Sequence, residues 1–135
     1  INSMLGIAHS MAHAAGAALG IPHGRACGIF LPHSIEFCAA DGITRYQDIT
    51  RFMGWSAADE AEAGAVLAAK VRALMGEVGA PLTVSEAGIT QEKFAAALEQ
   101  MIDNAMSDTV IFSSPRQPTV DELRELFEKA YENNV

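Results

Sequence analysis

Apolar positions recur at three- and four-residue spacing along most of the chain, the repeat of α-helices laid against a shared core. From Ser3 to about Leu19 every residue is compatible with helix, and Pro22 marks the end of that element. A second apolar stretch runs from about Gly24 to Ala40, with Pro32 as a kink or boundary, and Asp41-Gly42 follows as a turn. Thr44 to Met53 suits a short helix. Ser56, followed by Asp59 and Glu60, reads as the N-cap of a helix carrying Leu67, Val71, Leu74, Met75 and Val78 on one side, stopped at Gly79-Ala80-Pro81. After Thr90 comes an amphipathic helix with Phe94, Leu98, Met101, Ile102 and Ala105 facing inward. A loop from about Ser107 to Pro118 separates it from a last helix, which opens with the capping box Thr119-x-x-Glu122 and buries Val120, Leu123, Phe127 and Tyr131. Only Thr109–Phe112 has a brief strand-like character. The pattern predicts an all-α fold in one domain spanning residues 1–135.

Composition supports a folded domain and narrows its partners. Half of the 135 residues are hydrophobic and 19% are charged, which suits a globular core rather than disorder. The formal net charge of -8, with nine scattered basic residues, excludes the basic surface that nucleic acid or an anionic membrane requires. Residues 1–24 carry no Lys, Arg, Asp or Glu, yet there is no basic leader region, and His9, His13, Ser10 and four glycines interrupt the apolar run. A buried helix is therefore expected, not a membrane span. Cys27 and Cys38 form no CxxC pair and are expected to be reduced, buried thiols in a cytoplasmic protein. The chain starts at Ile1 and enters a helical pattern at once, as a piece of a longer protein would.

All four histidines fall within the first 33 residues. His9 and His13 stand at i and i+4, so both rings project from one helix face, which Gly6, Gly16 and Gly20 continue. Glycine contributes no packing volume, so such a face suits the close approach of another backbone or of a ligand. His23 follows Pro22 beyond the helix end, where a turn of the chain can return it toward His9 and His13. Two readings stay open on spacing alone. These are hydrogen-bonded core or cap histidines, or they are ligands of a divalent transition metal. No carboxylate precedes Glu36, so a metal site here needs donors from outside this segment.

The run GIAHSMAHAAGAALGIPHG from Gly6 to Gly24 resembles the histidine signature of the iron-containing alcohol dehydrogenases. RACGIFLPHSIEF, and the Pro-Arg loop SSPRQPT ahead of the last helix, are similar to the same family. The resemblance implies the C-terminal helical part of a dehydroquinate synthase-like, iron-containing alcohol dehydrogenase scaffold, without its N-terminal α/β cofactor domain. It implies that His9 and His23 are metal ligands. It also implies that His13 lies beside metal and nicotinamide as a proton relay or substrate contact, and that His33 is not a ligand, which leaves it structural or a support to the ligands from outside their shell. The implied cofactors are Fe(II), or Zn, and NAD or NADP. The implied substrate is a small alcohol or aldehyde, and the implied assembly a homo-oligomer. The family's other ligands, an upstream Asp and His, have no counterpart here, and Ser114 stands where an Asn is usual. The isolated chain is accordingly expected to be inactive. Maleylacetate reduction and glycerol oxidation are sister activities of the same scaffold. A non-catalytic, partner-binding helical module is the reading from another class.

Overall fold

The computed structural model describes residues 5–41 and 43–132. Six α-helices follow in order: α1 (Ile7–Leu19), α2 (His23–Ala39), α3 (Tyr46–Phe52), α4 (Glu60–Glu77), α5 (Gln91–Ser107) and α6 (Val120–Glu132). Among the described residues there is no strand. The run Thr109–Phe112 lies in a 3-10 turn, Thr109–Ser113, because the Asp108 carboxylate accepts from the Val110 N–H at 3.1 Å and winds the chain tightly there.

Helix α1 packs between α2 and α5, while α2 also meets α4 and α6. The core joins Ile7, Met11 and Ala15 of α1 to Ile29 and Phe30 of α2, Met101 and Ile102 of α5, and Leu123 and Phe127 of α6. Phe30 meets Phe127 edge to face, with ring centroids 5.4 Å apart. The segment between α4 and α5 is tied to the end of α6, where the Val84 and Ser85 N–H groups donate to the carbonyls of Ala130 and Tyr131. No described helix is long and apolar enough to cross a membrane.

Several local expectations are corrected. Helix α1 begins at Ile7; Ser3 lies outside the described residues, as does Gly42 of the expected turn. Pro32 neither ends nor opens a helix but sits inside continuous α2. The N-cap of α4 is Asp59, not Ser56, since Asp59 accepts from the Glu62 N–H at 2.8 Å while Glu62 reaches back to the Ala58 N–H at 2.6 Å. Helix α4 buries Ala63, Gly64, Ala68 and Met75, whereas Leu74 and Val78 are 59% and 68% exposed. The cause is proximity, for a Cβ on Gly64 would stand 2.3 Å from the Ala39 Cβ, and only small residues admit α2 so closely. Val120, the first residue of α6, is exposed rather than buried. The capping box of α6 forms as expected, with Thr119 N–H donating to Glu122 at 2.9 Å and Glu122 N–H to Thr119 at 3.2 Å.

Candidate metal centre

Helix α1 stops at Gly20, whose φ of 75° is the left-handed geometry that closes a helix and that glycine adopts without strain. Its N–H returns to the Gly16 carbonyl at 3.1 Å. The chain then doubles back closely enough that a Cβ on Gly16 would meet the Ile21 carbonyl at 3.3 Å. Pro22 caps α2, so His23 lies beyond the end of α1, as its place after Pro22 suggested, and is at the same time the first residue of the next helix. This tight corner sets the start of α2 against the histidine face of α1.

Three of the four histidines thereby come together. Ring centroids are 6.1 Å apart for His9 and His13, 5.5 Å for His9 and His23, and 5.3 Å for His13 and His23. Burial, then the neighbouring His23 and His13 rings, lower the His9 pKa below its ordinary value, favouring the neutral imidazole that coordinates metals. The donor atoms of His9, His23 and Cys27 all lie within 4.8 Å of one another. Two imidazoles and a thiol that close fit a divalent transition-metal ion. Cys27 is half-buried rather than buried, and burial pushes its thiol pKa up.

His13 has a different setting. Its Nδ1 is 2.6 Å from Asp108 Oδ2, a short contact that places the Nδ1 proton between them and leaves Nε2 as the remaining ring nitrogen. Burial pushes the Asp108 carboxyl upward, but hydrogen bonds from His13 and the Val110 N–H outweigh this and hold it below its ordinary value. Asp108 was not visible in the sequence as a site residue, because nothing local connects it to His13 across 95 positions. His33 lies apart, buried farther along α2. Burial, then the charge of Arg72, push its pKa down to about 4.

The Pro-Arg loop holds the start of α1. Ser114 is buried and its Oγ accepts the Ile7 N–H at 2.6 Å, satisfying a backbone donor at the start of α1 that no intrahelical carbonyl reaches. Gly6 leaves the room, since a Cβ there would come within 2.9 Å of that hydroxyl. Arg116 donates to the Phe37 carbonyl at 3.0 Å, pairs with Asp41 and Glu122, and lies over the Phe37 ring at 3.9 Å.

An all-helical domain with three clustered imidazoles, one of them buttressed by a carboxylate, defines a class of candidate metal-binding domains. A sequence profile of the Fe-containing alcohol dehydrogenase family, C-terminal, matches residues 1–131, and the chain belongs to that family. It is 35% identical over 130 residues to the NADPH-dependent butanol dehydrogenase of Clostridium saccharobutylicum, covering 96% of this chain and 34% of that relative. It is 34% identical over 134 residues to the lactaldehyde reductase of Escherichia coli (strain K12), again covering 96% of this chain and 34% of the relative. The iron-containing alcohol dehydrogenase from Thermococcus thioreducens superposes with a TM-score of 0.80 at 31% identity, covering 96% of this chain and 32% of that one. The chain thus spans about a third of the length of these relatives.

Proposed function

We propose that this chain is the C-terminal helical metal-binding domain, over residues 1–135, of a metal-dependent, NAD(P)-linked alcohol dehydrogenase acting on a small alcohol or aldehyde. The observation that carries the reading is the cluster of His9, His13 and His23 at the α1–α2 corner, with His13 held by Asp108. In this reading His9 and His23 hold the metal, while upstream residues complete its shell. When bound, the metal supplies Lewis-acid polarisation of the alcohol or carbonyl oxygen, and the nicotinamide supplies or accepts hydride.

The chain's own residues handle position and protons. Asp108 fixes the His13 ring and its tautomer through Nδ1, which leaves Nε2 as the nitrogen that can accept a substrate-derived proton. The neutral His9 ring keeps its lone pair for coordination. The small-alcohol class is supported by relatives named for butanol, lactaldehyde and 1,3-propanediol.

Anaerobic titration with Fe(II) and Zn(II) tests the assignment. Binding by the chain should be measurable and should disappear in His9→Ala and in His23→Ala, while His13→Gln retains it. Binding that survives both alanine variants would overturn the ligand assignment. The chain alone should oxidise no alcohol with NAD or NADP, since it spans only about a third of the length of the relatives it matches. Turnover by the purified chain that His9→Ala abolishes would overturn that expectation.

A further inference from the structure

Cys27 stands one helical turn beyond His23 on α2, the i and i+4 placement that sets two side chains on one face. Its Sγ is 3.5 Å from His23 Nε2 and 4.0 Å from Nδ1. Two donors sharing one tetrahedral ion, with bonds of about 2.0 Å to nitrogen and about 2.3 Å to sulfur, stand about 3.5 Å apart. The sulfur–nitrogen spacing therefore already matches a common ion. A thiol–imidazole hydrogen bond would account for the Cys27–His23 distance alone. It would not account for His9, which arrives from a different helix and still places its nitrogen within 4.8 Å of both other donors. The second thiol offers a contrast, since Cys38 is buried in the core and takes no part in the cluster.

We infer that Cys27 is a third protein donor to the metal held by His9 and His23. It binds as the thiolate once its proton has left to solvent. Two imidazoles and a thiolate form a softer set than imidazoles and carboxylates, so the centre prefers thiophilic ions such as Zn(II) over Fe(II). The inference rests on the metal reading of His9 and His23 proposed above.

Cobalt(II) separates the two claims, because its visible ligand-field bands report any bound ion and its near-ultraviolet charge-transfer band reports sulfur ligation. The wild-type chain, titrated anaerobically with cobalt(II) to saturation, should develop both. Cys27→Ser should keep the visible bands and lose the charge-transfer band, although Cys38 remains. Its Zn(II) affinity should fall at least about tenfold, and its Fe(II) affinity by less. An unchanged thermal midpoint in Cys27→Ser would exclude misfolding as the cause. Visible bands without a charge-transfer band in the wild type, or identical spectra in the variant, would overturn the inference and leave the histidine site standing. No cobalt spectrum at all in the wild type would overturn both.

Discussion

Helices α1 and α6 are equally long, 13 residues each, and both pack into the same core, yet they are held in opposite ways. Helix α6 carries its own instructions, with a reciprocal Thr119–Glu122 cap, Asp121 and Glu122 in its first turn, Lys129 in its last, and Leu123, Leu126, Phe127, Ala130 and Tyr131 buried on one side. Helix α1 has no side-chain cap of its own, no acid in its first turn and no base in its last. Its ends are satisfied from outside, by the Ser114 hydroxyl at Ile7 and by the Lys93 ammonium, which donates to the Leu19 carbonyl at 3.0 Å. The scaffold helix is specified locally. The helix bearing His9 and His13 is specified by its neighbours, which frees its exposed face from any duty to packing or capping.

Four perturbations sharpen or break this contrast. The largest effect should come from Phe127→Ala, which removes a fully buried ring of α6 and leaves Phe30 without its partner. A loss of about 3–5 kcal/mol is expected in chemical denaturation. Next is the dependence on pH through His33, the histidine that packing has claimed. Its pKa is lowered to about 4 in the folded chain against an ordinary 6.5, so the unfolded chain binds the extra proton between those values. Its contribution is complete above pH 6.5 and lost as pH falls toward 4, about 3 kcal/mol in all. Denaturation midpoints of His33→Gln across that window should lack this slope, and an unchanged slope would refute the assignment.

Ser114→Ala leaves the Ile7 N–H without its partner and should cost about 1–2 kcal/mol. Since Ser114 holds the start of the site-bearing helix, the same variant should also weaken metal binding, which a cap on α6 should not. Thr119→Ala should be the mildest, at about 1 kcal/mol, with metal affinity unchanged. If the two cap variants weaken metal binding equally, the division between site helix and scaffold helix fails.

What could be read in advance follows the same division. Helices α5 and α6 announce themselves because apolar spacing and caps lie within each segment, as at Thr90 and Thr119. Helix α4 misleads, since its inward face is made of Ala63, Gly64 and Ala68, and small residues register weakly in a pattern of large apolar ones. The clustering potential of His9, His13 and His23 is visible in their spacing. The contributions of Asp108 and Ser114 are not, because each acts through a contact with α1 that exists only after folding. Cys27 could have been found by its spacing from His23, had that histidine been assigned to the first turn of α2.

The short segment from Asp108 to Ser114 touches α1 twice, through His13 at one end and through the Ile7 N–H at the other. The anchors are six positions apart along the helix, a lever of about 9 Å at about 1.5 Å per residue. A rod pinned at one point can swivel and slide, but pinned at two it can do neither, and only bending remains. His9 lies between the pins, so it and His13 keep a common frame, and a shift of the 3-10 turn would carry both imidazoles together instead of changing the gap between them.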